Sequence, residues 1–160
     1  MTENKILFAG PLSVGITTAI KNISDSTPAT DNEHTETDYG ILELETGDQI
    51  HLYGLSENKD IKPEHENCIG MILLINNADT DPIKCMLQNI EHYQELVDKE
   101  AIAVGLTNYG NSPTPDINEF HVTLREKKLN IPIFSVDVHN KHNIITLIKA
   151  LLYNLDSGVN

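Results

Sequence analysis

The stretch KILFAGPLSVGITTAIKNISD, residues 5–25, decides how the chain should fold. A short apolar run leads into a loop bounded by Gly10 and Gly15, and the residues after the loop have helical character. This spacing matches the phosphate-binding pattern G-x-x-x-x-G-K-[ST], in which backbone amides at a helix start cradle an anion. Ile16 stands where the pattern requires lysine. The stretch therefore predicts a strand, a loop and a helix, and it leaves phosphate binding open.

The composition is that of a soluble globular protein with an acidic surface. The chain has 160 residues, of which 39% are hydrophobic, and this length suffices for one domain with its own core. The formal net charge of -13 disfavours nucleic acid or an anionic membrane surface as the main partner, and it opposes phosphate ligands. The longest apolar run, residues 69–75, is too short to cross a bilayer. We expect one domain over residues 1–160, in a cytoplasmic protein that does not insert into membranes.

Segments with strand character alternate with segments of helical spacing along most of the chain. The strand-like segments are residues 5–9, 39–45, 49–53, 68–75, 101–106 and 131–136, and the helical ones are residues 17–24, 82–97, 117–124 and 144–155. Thr46-Gly47-Asp48 marks a hairpin turn. The order predicts an α/β fold with a six-stranded, mostly parallel sheet, one antiparallel hairpin strand and helices on both faces. Ligands of such sheets bind at the carboxyl ends of the strands.

Five segments, GPLSVGITT, TDYGILEL, IHLYG, VGLTNYG and FSVDV, carry a family resemblance in this order. Together they resemble the Ras-like small GTPases over residues 5–155, in particular a bacterial branch that looks related to Arf-type and gliding-motility-type GTPases. The resemblance implies the three-layer P-loop fold of that superfamily. It also implies a site for GTP or GDP with magnesium, and a roadblock-domain protein as partner.

The resemblance places a degenerate nucleotide site in the first loop and after the fifth strand. Its residues are Gly10, Ser13, Val14, Gly15, Ile16, Thr17, Thr18, Thr107 and Asn108. Thr17 stands at the position of the hydroxyl that binds magnesium, if nucleotide binds. Ile16 replaces the lysine that bridges the phosphates, and a charged hydrogen bond of that kind contributes ~1.5–3 kcal/mol, or roughly ten- to a hundredfold in affinity. The alternative is that Gly10 and Gly15 only turn the chain from strand to helix.

Two further nucleotide motifs depart from the family pattern. Glu57 stands where a glycine would meet the terminal phosphate, and Asn58 takes the position of the glutamine that orients the attacking water. Gly110 replaces the aspartate that reads guanine, and Asp116 lies six residues further on. Tyr109 either stacks on a base or belongs to a turn. The departures weaken the case for both hydrolysis and guanine selection.

Other chemistry has little support in the sequence. Cys68 and Cys85 are expected to be reduced, packed thiols. His139 and His142 have the spacing of two metal ligands, but a metal site needs at least a third. We therefore expect a pseudo-GTPase that has no cofactor and acts as a regulatory or scaffolding module for a roadblock-type partner. The alternative is a functional GTP-binding switch with slow hydrolysis.

Overall fold

The computed structural model describes residues 4–11, 15–24, 39–55, 61 and 67–158, with side chains described through residue 155. The strands in these ranges are β1 (Asn4–Ala9), β2 (Tyr39–Glu43), β3 (Gln49–Gly54), β4 (Gly70–Asn76), β5 (Ile102–Thr107) and β6 (Ile133–Ser135). They form one six-stranded sheet of order β2-β3-β1-β4-β5-β6. Because β2 and β3 are antiparallel and every other pair is parallel, the expected mixed α/β sheet with one hairpin strand is confirmed.

The hairpin between β2 and β3 forms where its turn was predicted. Gly47 has φ 92°, a left-handed conformation that glycine adopts without strain. The turn is closed by hydrogen bonds from Leu44 N to Asp48 O (2.8 Å) and from Gly47 N to Leu44 O (2.9 Å). Strand β2 ends at Glu43, so it is two residues shorter than the segment predicted from the sequence.

The helices are α1 (Ile16–Ile23), α2 (Pro82–His92), α3 (Gln94–Asp98), α4 (Ile117–Glu126) and α5 (Lys141–Gly158). The single helix expected over residues 82–97 is interrupted at Tyr93, whose φ of -107° and ψ of 37° are not helical. Tyr93, Leu96 and Val97, at and after the break, are all buried. The start of α2 is capped, because Asp81 Oδ1 accepts a hydrogen bond from Lys84 N (3.1 Å).

Apolar side chains cover both faces of the sheet, as expected for central parallel strands. On one face, residues such as Leu7, Leu73 and Val104 pack with α2, α3 and α4. On the other face, residues such as Phe8 and Ile72 pack with α1 and α5. Alternation along each strand therefore places neighbouring residues in opposite cores.

None of the helices in the described part of the chain combines the length and the apolarity that crossing a bilayer requires. The sequence is polar at residues 26–37 and 56–67. Of these residues, the structure describes only Ile61 and Asn67.

Candidate functional site

A cavity of about 660 Å³ opens at the carboxyl ends of β5 and β6, beside the start of α1. Its walls come from the beginning of α1, the β5–α4 loop, the β6–α5 loop and the first turn of α5. The lining residues are Gly15, Thr18, Thr107, Asn108, Tyr109, Gly110, Asn111, Ser135, Val136, Asp137, Val138, His139 and Asn143. This is the edge of the sheet where the sequence predicted a ligand site.

The cavity brings together four of the predicted site residues: Gly15, Thr18, Thr107 and Asn108. Three others, Gly10, Ile16 and Thr17, are described but do not line it. The remaining predicted residues, Ser13, Val14 and Asn58, lie outside the described residues, as does Glu57.

Gly15 joins the first loop to the cavity. It has φ 101° and precedes the first residue of α1, and a Cβ built on it would stand 2.9 Å from a methyl carbon of Val138. Asn22 of α1 also binds Val138, because its Nδ2 donates a hydrogen bond to Val138 O (2.9 Å). The start of α1 is thereby held against the β6–α5 loop, and only glycine fits at position 15.

Ile16 stands at the lysine position of the phosphate-binding pattern. Ile16 is half-buried and packs against the core between the sheet and helices α1 and α5. The next residue, Thr17, is exposed, whereas Thr18 is half-buried and reaches the cavity. The first turn of α1 therefore presents a hydroxyl-bearing residue to the cavity and turns its apolar residue inward.

The β5–α4 loop forms one wall of the cavity. Thr107 is 4% exposed and its Oγ1 lies 3.4 Å from Ile75 O. Asn108 has φ 58°, which asparagine tolerates better than most residues, and its Nδ2 donates to Asn76 Oδ1 (2.9 Å). Next to them, a Cβ on Gly110 would have no atom within 4 Å, so the position of the missing aspartate is open space.

Tyr109 and Asp116 both have structural roles in this loop. Tyr109 Oη accepts a hydrogen bond from Ile117 N (3.0 Å), and the ring packs against the core, as expected of a turn tyrosine. Asp116 is the N-cap of α4: its Oδ1 accepts from Asn118 N (2.8 Å), and Glu119 Oε2 accepts from Asp116 N (2.8 Å). The carboxylate nearest in sequence to Gly110, that of Asp116, is therefore engaged in a capping box.

The β6–α5 loop contributes the carboxylate of the cavity. Hydrogen bonding from the backbone N–H of His139 (2.9 Å), with a smaller contribution from its ring, holds the pKa of Asp137 below its usual value. The side chain is therefore ionised at neutral pH. Asp137 N in turn donates to Asn143 Oδ1 (3.0 Å), which ties the loop to α5.

The lining of the cavity contains one carboxylate and one histidine but no lysine or arginine, as far as the chain is described. A bound triphosphate needs cationic groups or metal to offset its charge. The described lining offers such a ligand no Lys or Arg partner, and Asp137 would repel an anion, whereas residues 12–14 of the first loop lie outside the described residues. Within the described ranges, no three His, Cys, Asp or Glu residues are grouped so that they would hold a metal ion.

Sequence reasoning missed several residues of this region. Asn111, His139 and Asn143 line the cavity, and Asn77 holds one of its walls from inside the protein. The only signal for Asn77 was a polar residue directly after the apolar run of β4. Side chains at strand ends recur at ligand sites of parallel sheets, and this rule marks Asn77 as a candidate.

Comparison of the sequence with protein-family models gives no match, and comparison with curated proteins gives none either.

Proposed function

We propose that this chain is a pseudo-GTPase with the P-loop fold of the Ras-like small GTPases. In this proposal it binds nucleotide weakly or not at all, does not hydrolyse GTP efficiently, and serves as a regulatory or scaffolding module. Its partner is a protein, and the resemblance described above favours one with a roadblock domain.

The observation that carries the proposal is the packing of Ile16. A lysine at this position of a phosphate loop must extend toward the phosphates as a point charge. Here the residue at that position is apolar and is packed against the core of α1 and α5. The residue at this position thus contacts apolar neighbours, and the cationic side chain that the phosphate-binding pattern requires is missing.

The walls of the cavity support the same proposal. Loss of the lysine removes ~1.5–3 kcal/mol, and loss of two hydrogen bonds to an aspartate at position 110 removes about 2–4 kcal/mol more. If these contributions add, the affinity falls by roughly three to five orders of magnitude.

The distribution of charge supports a protein partner with a basic surface. Between Asp25 and Glu66 lie 12 of the 24 acidic residues of the chain, with only Lys59 and Lys62 among them. Within the described residues of this region, Glu43, Glu45 and Asp48 are exposed at the hairpin. Opposite charge across an interface speeds association and excludes wrong partners.

The alternative, a GTP-binding switch with slow hydrolysis, is favoured by one observation. The cavity is still present, and Gly15 and Thr18 still reach it. A switch of this kind would have to bind the phosphates through backbone amides and magnesium at Thr17.

Nucleotide content separates the two functions. We expect no guanine nucleotide to be released when the purified protein is denatured and the supernatant is chromatographed. Light scattering with a purified roadblock-domain protein from the same organism should then detect a complex to the same extent with and without GTP and magnesium. Stoichiometric release of GDP or GTP, or a complex that forms only with GTP, contradicts the proposal.

A further inference from the structure

Asn77 is a buried polar side chain in contact with the wall of the cavity. It follows β4 directly and is 1% exposed. We call residues 108–116 the wall segment. Its first four residues line the cavity, and its last residue, Asp116, is the N-cap of α4. Asn77 therefore lies where the sheet meets the part of the cavity that would face a ligand or partner.

Both amide hydrogens of Asn77 are directed to the wall segment. Nδ2 lies 2.6 Å from Ser112 O and 3.1 Å from Pro115 O. The backbone N–H of Asn77 donates to Thr107 O (2.9 Å), the last residue of β5. One residue thus contacts the end of the neighbouring strand through its backbone and two carbonyls of the wall through its side chain.

The wall segment makes other hydrogen bonds besides those of Asn77, and the one from Ile117 N to Tyr109 Oη is likewise part-buried. The bond from Asn108 Nδ2 to Asn76 Oδ1 is exposed, and Ser112 N donates locally to Asn108 O (2.9 Å). Water competes for exposed bonds, whereas a bond from a buried donor is replaced only when the segment opens. Asn77 therefore restrains the middle of the segment, at Ser112 and Pro115, from a buried position.

The acceptor of Asn77 supports this assignment. Its Oδ1 is buried and has no hydrogen-bond partner among the described residues. An unsatisfied buried acceptor is unfavourable, and a native structure retains one only where another requirement outweighs it. Here the requirement is the pair of donors, which no apolar residue of similar size supplies.

We propose that Asn77 is a positioning residue that holds the wall segment in one conformation whether or not a ligand is bound. In sites that switch, segments become ordered when the ligand arrives. Here the bonds come from inside the protein. The inference deepens the proposed function and rests on it in one respect: a module that does not switch needs its surface formed before the partner binds.

Hydrogen exchange measured by mass spectrometry tests this assignment on the full chain. In Asn77→Ala, peptides that cover residues 108–116 should exchange roughly ten- to a hundredfold faster, as expected for local opening after two buried bonds are lost. Peptides of β4 and β5 should keep their protection. Asn154→Ala is the matched control, because Asn154 Nδ2 donates to Glu100 O (3.1 Å) before the start of β5, and it should leave the wall segment unchanged.

Two results would overturn the assignment: unchanged exchange of the wall segment in Asn77→Ala, or equal acceleration throughout β4 and β5. If Asn77→Ala does not fold, Asn77→Ser should give intermediate exchange, because its hydroxyl donates one bond; wild-type exchange in Asn77→Ser overturns the assignment as well. Calorimetry with GTP reports on the proposed function separately, since nucleotide binding alone leaves the role of Asn77 in the free protein untouched.

Discussion

The backbone of Gly15 lies directly against the side chain of Val138, so that a Cβ at position 15 would come within 2.9 Å of Val138 Cγ2. The two residues are far apart in sequence and belong to the first and last loops at the carboxyl edge of the sheet. Their contact closes one side of the cavity, and the left-handed φ of 101° at Gly15 makes it possible.

Gly15→Ala should destabilise the protein by about 1–3 kcal/mol, since it introduces a strained backbone conformation and a contact with Val138. Urea unfolding followed by circular dichroism measures the change. Gly110→Ala is the control, because its Cβ enters open space, and it should lie within about 0.5 kcal/mol of wild type. Equal stability of the two variants would show that the contact at Gly15 is not constraining.

Ile16→Lys should have opposite effects on folding and on nucleotide binding. The free energy of unfolding should fall by about 1 kcal/mol, because an apolar contact with the core is lost. Affinity for a fluorescent GTP analogue should rise roughly ten- to a hundredfold, because the phosphates gain a charged partner. Ile16→Ala removes the same packing without adding charge, so a rise in affinity in that variant would argue against the electrostatic explanation.

Asp116 should contribute to helix stability and not to ligand recognition. Asp116→Ala should lower the free energy of unfolding by about 0.5–2 kcal/mol through loss of the α4 cap. Asp116→Asn should remain close to wild type, since asparagine caps helices about as well as aspartate. If the two variants lose equal stability in urea unfolding, the side-chain cap is not what stabilises α4.

The Cys68 thiol should react slowly while the protein is folded. Burial raises the pKa of Cys68 above its ordinary value, so little thiolate is present at pH 8. Because the unfolded chain releases this proton at a lower pH than the folded chain, the free energy of unfolding falls as the pH rises from the unfolded pKa through the folded pKa. In Cys85→Ala, alkylation by iodoacetamide should therefore accelerate strongly when urea unfolds the chain; equal rates before and after unfolding would contradict the burial of Cys68.

Local signals in the sequence predict most of the sheet, because apolar runs and helical spacing repeat along the chain. These signals fail at the bounds of β6. Residues 131–136 are an apolar run, but the regular strand begins only at Ile133, because Pro132 has no N–H to donate. The break at Tyr93 was missed because residues 82–97 keep the spacing of a single helix, and nothing in that spacing marks a change at Tyr93.

The site was only partly predictable because its contacts are long-range. Asn77 lies 35 residues from Ser112 and 38 from Pro115, and neither pairing leaves a pattern in the sequence. Gly15 and Thr18 were found because the first loop is a local motif. The packing of Ile16 required the fold, since only the structure shows which way the side chain at the lysine position points.

The central claim is that the site has too little positive charge to hold a triphosphate. Isothermal titration of the purified protein with GTP and magnesium tests it most directly. The account predicts no binding heat up to millimolar GTP. A dissociation constant in the micromolar range or tighter would contradict it.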